Sequence, residues 1–315
     1  MSASGSAHHL TVEATGRLSP ADAAEVRAMV AAAADADQVS PLSEHVTLHL
    51  RYGGDEPVRT FLGRLNGRIV GYGHLDVTDE VEGASAEVVV APDARRHGVG
   101  RALVEAMLDA APRRELRLWA HGDHPAAAAL AASLGFRRVR SLWQMRRLLA
   151  EPLPAAPIPD GVTVRTFEPG RDDASWVELN GRAFAEHPEQ GRWTIDDLHQ
   201  RMCEPWFDPA GFFLAERGER LVGFHWTKIH GGSQGAEHHG HEPLGEIYVI
   251  GIDPAEQGNG LGTALSVIGL EHLRAKGLTE AMLYVEAANA PAIKVYEKLG
   301  FAHADTDMMF RHPTA

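Results

Sequence analysis

Apolar positions along the chain fall into two series of the same elements, one after the other. Each series opens with a helical stretch: Pro20–Ala36, alanine-rich behind Ser19, and Asp172–Phe184. A serine just before the first helical residue can accept from the N–H groups of the first turn. Strands follow at Phe61–Leu65 and Ile69–Val77, and in the second series at Phe212–Glu216 and Leu221–Ile229. Each is a short apolar run bounded by turn residues. Both series then pass through a strongly apolar strand, a glycine loop, a helix, another apolar strand and another helix. A buried strand that feeds a helix before the next apolar strand implies parallel pairing inside a mixed sheet. The expected fold class is therefore α/β, with two tandem copies of one domain, each a mixed, mostly antiparallel sheet flanked by helices.

The copies can be aligned by landmarks, and self-similarity at a fixed spacing decides architecture before any local reading. Gly67-Arg-Ile-Val-Gly-Tyr-Gly-His74 resembles Gly218-Glu-Arg-Leu-Val-Gly-Phe-His225. Val88-Val-Val-Ala-Pro-Asp-Ala-Arg-Arg-His-Gly98-Val-Gly100 lines up with Ile250-Gly-Ile-Asp-Pro-Ala-Glu-Gln-Gly-Asn-Gly260-Leu-Gly262, an offset of 162. Leu118-Trp119, His124 and Ser133-Leu-Gly-Phe136 match Leu283-Tyr284, Asn289 and Lys298-Leu-Gly-Phe301, an offset of 165. Between the copies, Glu151–Gly161 holds four prolines in eleven residues. Proline removes backbone donors and favours extended chain, so this segment reads as a linker. The expected organisation is a first domain over 1–150, a linker over 151–161 and a second domain over 162–315. A mobile loop is expected over 231–242.

Composition narrows the partners. The 315 residues are 44% hydrophobic and 23% charged, ordinary for globular protein, and no apolar run approaches a membrane span. Met1–Leu10 has no basic segment leading an apolar one, so a secretory signal is not expected. Cys203 is the single cysteine, which excludes a disulfide framework and suits a reducing cytoplasm. Thirty basic against forty-three acidic residues leave a formal charge of −13, so neither nucleic acid nor an anionic membrane is an expected partner. An amine-bearing small molecule fits that field better. A monomer is expected.

The glycine loops carry the chemistry. Glycines turn the chain tightly and expose successive N–H groups, and a helix N-terminus adds partial positive charge, which together cradle a phosphate. Gln257–Gly262 is not a P-loop, since Gly-Lys-Ser/Thr is missing, nor a Rossmann fingerprint, since Thr263 stands where the third glycine belongs. A tight turn without ligand is the plain alternative. The pattern Gln/Arg-x-x-Gly-x-Gly after a strand, then Asn289-Ala-Pro-Ala-Ile-Lys-Val-Tyr296-Glu-Lys-Leu-Gly300-Phe301, resembles the GCN5-related N-acetyltransferase (GNAT) superfamily across both halves. The resemblance implies two tandem GNAT-type domains and acetyl-CoA as cosubstrate. It places the coenzyme pyrophosphate on Gln257, Gly258, Asn259, Gly260, Leu261, Gly262 and Thr263. The pantetheine would pair with Ile250, Gly251 and Ile252 like an added strand. Asn289, Ala290, Pro291, Ala292, Ile293 and Lys294 would contact the same molecule. The matching set in the first half is Val88, Val89, Val90, Arg96, His97, Gly98, Val99, Gly100 and Arg101.

Further segments, His187-Pro-Glu-Gln-Gly191, Trp206-Phe-Asp-Pro209, Phe224-His-Trp-Thr-Lys228 and Gly245–Pro254, resemble the mycothiol synthase branch of that superfamily. Gly258-Asn259 departs from that branch, where arginines are commoner. This closer resemblance implies acetylation of the cysteine amine of cysteinyl-glucosaminyl-inositol. Glu246 would then be the general base acting through water, and Tyr296 the acid for the departing thiolate. Acceptor contacts at Glu44, Glu189, Lys228, Glu246 and Tyr284, in a cleft drawing on both halves, are implied as well. Read without the resemblance, Glu246 is an ion pair or strand-edge charge, Tyr296 a core tyrosine, and Glu44 and Lys228 solvated charges.

The repeat supplies an internal control. Subtracting 162 from 246 gives Ala84, subtracting 165 from 296 gives Ala131, and Asn289 corresponds to His124. Glu87 takes the slot of Val249. The first half is thus expected to bind acetyl-CoA without turning it over. Alternatives are transfer to another amine (an aminoglycoside, a polyamine or a protein N-terminus) or an acyl-CoA-sensing module without turnover. His238, His239 and His241 invite a metal reading, but a solvated loop is expected there and no metal cofactor. Cys203 is expected to be a buried apolar thiol.

Overall fold

A computed structural model of the chain describes residues 9–53, 58–78, 83–231 and 243–313, apart from the side chains of Pro188 and Glu189. Of the loop expected over 231–242, residues 232–242, with His238, His239 and His241, lie outside the described residues. The chain forms two compact units, residues 1–142 with 305–315, and residues 143–304. The first unit runs β1 (Leu10–Thr15), α1 (Pro20–Asp37), α2 (Glu44–Tyr52), β2 (Arg59–Leu65), β3 (Arg68–Asp76), β4 (Ala84–Val90), α3 (Val99–Ala110), β5 (Leu116–Ala120) and α4 (Pro125–Ser133), and β6 (Arg137–Leu148) leads out of it. The second contains β7 (Thr163–Thr166), α5 (Asp173–Ala183), α6 (Pro188–Gly191), α7 (Ile195–Met202), β8 (Phe212–Arg217), β9 (Arg220–His230), β10 (Leu244–Ile252), α8 (Leu261–Ala275), β11 (Glu280–Glu286) and α9 (Ala290–Lys298). The last strand, β12 (Ala302–Arg311), begins in the second unit and ends in the first.

Local chemistry sets the helix ends. The Ser19 hydroxyl accepts from the Asp22 N–H at 3.1 Å, and Pro20 takes the first helical position, where no N–H is needed. Thr194 and Asp197 close α7 with a reciprocal capping box. The central strands β3 and β9 are each buried over seven successive residues, Ile69–Leu75 and Leu221–Thr227. Burial without alternation means that both sheet faces are covered, as strands sandwiched between helix layers require.

Strand order in the first unit is β1-β2-β3-β4-β5, with the end of β12 beside β5, where Met308 faces Ala120. In the second it is β6-β11-β10-β9-β8-β7. The pairs β4–β5 and β10–β11 are parallel, while β1–β2, β2–β3, β3–β4, β7–β8, β8–β9 and β9–β10 are antiparallel. Each unit is therefore the mixed, mostly antiparallel sheet with flanking helices that the sequence implies. No helix among the described residues is long and apolar enough to cross a membrane.

The compact units divide the chain elsewhere than at the expected 150 and 162. Met145 and Leu149 are buried in a core of the second unit, and Leu153 and Ala156 of the proline-rich segment pack against the same core. Met308 and Phe310 are buried in the core of the first. The reason is that both units offer the same kind of apolar slot beside their fifth strand. A final strand of suitable pattern fills either slot, and hydrophobic patterning does not say whose strand it is.

Candidate active site

The glycine loop of the second unit is built as an anion cradle. Gly258 and Gly260 sit at φ +81° and +90°, and α8 begins at once at Leu261 with Gly260 as its N-cap. Backbone in this left-handed region is cheap only for glycine. A Cβ on either glycine would meet nothing within 4 Å, so the space before the helix is open. The first N–H groups of a helix have no partner inside it and point into that space. One is used locally, since the Leu261 N–H donates to Asn259 Oδ1 at 3.0 Å. The first unit repeats the geometry with Arg96 at φ +67°, Gly98 at φ +83° and α3 starting at Val99. Arg96 thus adopts the conformation that Gly258 adopts in the other copy.

Beside each cradle the sheet parts. β10 pairs with β11 only over Gly245–Ile247, then continues to Ile252 against β9. β4 pairs with β5 over Ala84–Glu87 and likewise continues to Val90 against β3. The backbone of Ile250, Gly251 and Ile252, and of Val88, Val89 and Val90, is thereby presented to an extended ligand as a strand would be. The second unit adds a feature that the first lacks. Its ladder with β9 slips by one residue between Ile247 and Val249, leaving Tyr248 as a bulge. A bulge bends its strand and re-aims the neighbouring side chains. The Tyr248 oxygen accepts from Arg201 Nε at 2.9 Å.

Glu246 lies just before that bulge and is 6% exposed. Its Oε2 is 2.7 Å from His230 Nε2, a group that sequence reading did not single out. A signal for it exists: Trp226, Lys228 and His230 alternate along β9 and so share one face. Register puts Glu246 opposite Lys228 on β9 and Met282 on β11. Tyr284, two residues beyond Met282, shares that face as well. It is 40% exposed, and its hydroxyl oxygen accepts from Gln144 Nε2 at 3.0 Å. Lys228 Nζ stands 4.5 Å from the centre of the Trp206 ring and 5.2 Å from that of Tyr248, so aromatic faces hold its charge in place. Glu246, His230, Lys228 and Tyr284 thus form one polar face beside the parting strands.

Tyr296 is partly covered on α9, packed with the core that holds Leu299 and Phe301, its ring edge-to-face with Phe301. Desolvation pushes its hydroxyl up to about 12, so it keeps its proton throughout the neutral range. Asn289 caps α9, its Oδ1 accepting from the Ala292 N–H at 3.1 Å. Ala290, Pro291, Ile293 and Lys294 form the first turn behind it. Glu44 opens α2 in the first unit behind the Ser43 cap. Glu189 falls in α6, with its side chain outside the described ones.

Two expectations are corrected. The counterpart of Glu246 is Ser85, not Ala84. Ser85 faces Asp76 and Arg117, Glu246 faces Lys228 and Met282, and the bulge residue Tyr248 changes the offset from 162 beyond it to 161 before it. Cys203 is exposed rather than buried. It is the C-cap of α7, whose inward residues are Leu198 and Arg201, and it falls on the outer side of that turn. Ala131 does match Tyr296: the Phe136 N–H donates to the Ala131 carbonyl as the Phe301 N–H donates to that of Tyr296. Glu87 faces His74 as Val249 faces Trp226, and its carboxylate is held by the Ser43 N–H at 2.7 Å and His121 at 3.4 Å.

The sequence model of the acetyltransferase (GNAT) family matches residues 27–136 and 175–301, once in each half. A protein of Acidothermus cellulolyticus named mycothiol acetyltransferase is 57% identical over 309 residues, covering 96% of this chain and 94% of its own. A protein of the same name from Streptosporangium roseum is 52% identical over 337 residues, covering 95% and 98%. Among solved structures, a tandem GNAT protein from the clavulanic acid biosynthesis pathway superposes with a TM-score of 0.70 at 21% identity, covering 97% of this chain and 99% of its own. A GCN5-related N-acetyltransferase from Sphaerobacter thermophilus does so with a TM-score of 0.66 at 24% identity and 97% coverage of both. At such identities these two structures speak for the fold alone.

Proposed function

We propose, for a chain that belongs to the GNAT acetyltransferase family and within it to the mycothiol acetyltransferases, that its second unit acetylates the cysteine amine of cysteinyl-glucosaminyl-inositol. The observation that carries this reading is the parting of β10 from β11, with an open anion cradle at one end and a buried carboxylate–imidazole pair at the other. The first unit repeats the parting and the open cradle, but its buried carboxylate, Glu87 beside His121, stands at the slot of Val249, and the slot of Glu246 holds Ser85.

Acetyl-CoA, bound there, supplies the thioester. The N–H groups at the start of α8 would hold its pyrophosphate, and Ile250–Ile252 would pair with its pantetheine. Open space at both glycines and the strand edge left by β11 fit such a ligand. Glu246, fixed by His230, accepts the amine proton through a water and leaves the nitrogen lone pair free to attack. Tyr296 carries a proton at neutral pH and gives it to the departing thiolate. Lys228 and Tyr284 bind the acceptor, the lysine suiting its hydroxyls, and the Glu246 carboxylate suits its ammonium. No enzyme nucleophile is required. The first unit keeps a cradle, and with Ser85 in place of the base and Ala131 in place of the acid it binds acetyl-CoA without using it.

Incubation with acetyl-CoA and a panel of amines, following release of free thiol, tests the proposal. The cysteinyl pseudodisaccharide should be acetylated with the highest kcat/KM. Preference for an aminoglycoside, polyamine or peptide N-terminus would replace the acceptor. Acetyl-CoA binding with no thiol release from any amine would replace the activity with sensing.

A further inference from the structure

We propose that the first unit binds one divalent transition-metal ion of the zinc class through the imidazoles of His45, His49 and His74. His45 and His49 are one turn apart on α2 and therefore face the same way. His74 reaches them from β3. One nitrogen from each ring lies within 4.8 Å of the others, and the ring centres are 4.1 Å (His45–His49), 5.2 Å (His49–His74) and 6.3 Å (His45–His74) apart. Zinc holds imidazole nitrogens at about 2.0–2.1 Å, so a tetrahedral set stands about 3.3 Å apart. Closing to that spacing from within 4.8 Å asks for side-chain rotation on α2, where His45 is exposed and His49 half-buried.

The second observation is at His74. It is 2% exposed, and its Nε2 has no hydrogen-bond partner. A buried polar nitrogen left so is costly, and in a native protein it asks for an explanation. Its other nitrogen, Nδ1, is 3.3 Å from the buried Tyr72 hydroxyl. A proton placed on Nδ1 and donated to that oxygen leaves a lone pair on Nε2 for a metal, the arrangement that metal-bound histidines use. Asp76 Oδ2 lies 3.4 Å from His45 Nε2, where it orients that ring or serves as a fourth donor. Glu87 faces His74 across the β3–β4 ladder and adds negative charge. Three imidazoles and a carboxylate suit zinc, nickel or copper, not the all-oxygen shells of calcium or magnesium. In the second unit the positions of His74 and Asp76 hold Trp226 and Lys228, so the site belongs to one copy only.

Zinc titration of the full-length, chelator-treated chain against a competing indicator tests this, with the visible spectrum of cobalt(II) as a second readout. One equivalent should bind and give a tetrahedral cobalt spectrum. Saturating zinc should raise the melting temperature of the first unit by roughly 5–10 °C. H45Q, at an exposed position, should keep the far-UV spectrum and weaken binding by more than the about 10–100-fold that loss of an outer partner costs. H45Q/H49Q should abolish both. A triple variant, H238Q/H239Q/H241Q, should retain the full equivalent. Absence of a stoichiometric site, binding unchanged in H45Q/H49Q, or binding lost in the loop variant would each overturn the proposal.

Discussion

Val70 and Val222 stand at the same point of the two units. Each carbonyl accepts from the first residue after the β4 or β10 strand, Ala91 in one unit and Asp253 in the other. From that anchor the frameworks can be followed side by side. Gly73 of β3 corresponds to His225 of β9, and Met107 of α3 to Gly269 of α8. A Cβ on Gly73 would come 2.9 Å from the Met107 sulfur, and one on Gly269 would come 2.0 Å from the His225 ring. Small faces large in both units, with the two sides exchanged. His225 Nδ1 also bonds the Leu265 carbonyl at 2.7 Å. The site positions show no such compensation. Ser85 and Asp76 face each other where Glu246 and Lys228 do, and Ala131 stands where Tyr296 does: these are changes of chemistry, not an exchange of volume across a contact. Packing holds total volume nearly fixed in both copies, whereas under the proposed division of work the acid and base are free to vanish from the copy that does not use them.

The sharpest way to break this comparison is to damage each cradle alike. Gly260→Val forces a β-branched residue to φ +90° and fills the open space, so turnover should fall below detection. Gly98→Val, at φ +83°, should remove only the acetyl-CoA site of the first unit and leave most of the turnover. Calorimetry on each variant should find one site fewer than in the parent. Equal loss of activity would mean that the units do not divide the work.

Tyr296→Phe deletes one hydroxyl and keeps the ring packed against Phe301. Its kcat should fall by about 10²-fold or more while acetyl-CoA affinity stays within twofold of the parent. A drop in affinity instead would make Tyr296 a binding residue.

Stability probes the exchanged packing. Gly269→Ala meets the His225 ring, buried and hydrogen-bonded, and should destabilise the second unit by about 1–3 kcal/mol or more. Gly73→Ala meets the flexible end of Met107 and should cost less. Thermal unfolding followed in both variants decides it, and a larger cost at Gly73 would undo the pairing of positions.

Titration separates the units more gently. Burial alone would push His121 down, but its hydrogen bonds to Asp307 and Glu87 outweigh that and hold it up to about 10. Its contribution is complete below the ordinary 6.5 and is lost as pH rises through about 10. Burial pushes His225 down to about 4, so the second unit weakens as pH falls from 6.5 toward 4. His121→Gln should flatten the alkaline limb of melting temperature against pH and leave the acid limb unchanged.

Periodicity made much of the fold readable. β9 was expected at Leu221–Ile229 and spans Arg220–His230, and α1 ends one residue past its expected limit. The cradle was readable because left-handed backbone favours glycine, as at Gly258 and Gly260. α2 gives no helical signal, since Val46, Leu48 and Leu50 alternate as in a strand, and with it the grouping of His45, His49 and His74 stays hidden. The bulge at Tyr248 is one inserted residue that changes neither composition nor polarity, so the counterpart of Glu246 was misplaced by one. His230 reaches Glu246 across a strand ladder, and a diagonal of that kind has no fixed spacing along the chain. The strand exchange behind the two compact units escapes for the same reason as any non-local choice between equivalent slots.

The division of labour rests on Glu246, and its direct test is kcat for Glu246→Gln beside Ser85→Ala, with acetyl-CoA binding measured on both. Gln keeps the shape and the bond to His230 but takes no proton. A positioned base contributes about 10²–10⁴-fold, so kcat should fall by that factor with binding intact, while Ser85→Ala stays within about twofold of the parent. A loss of less than about tenfold in Glu246→Gln, or a comparable loss in Ser85→Ala, would contradict the account.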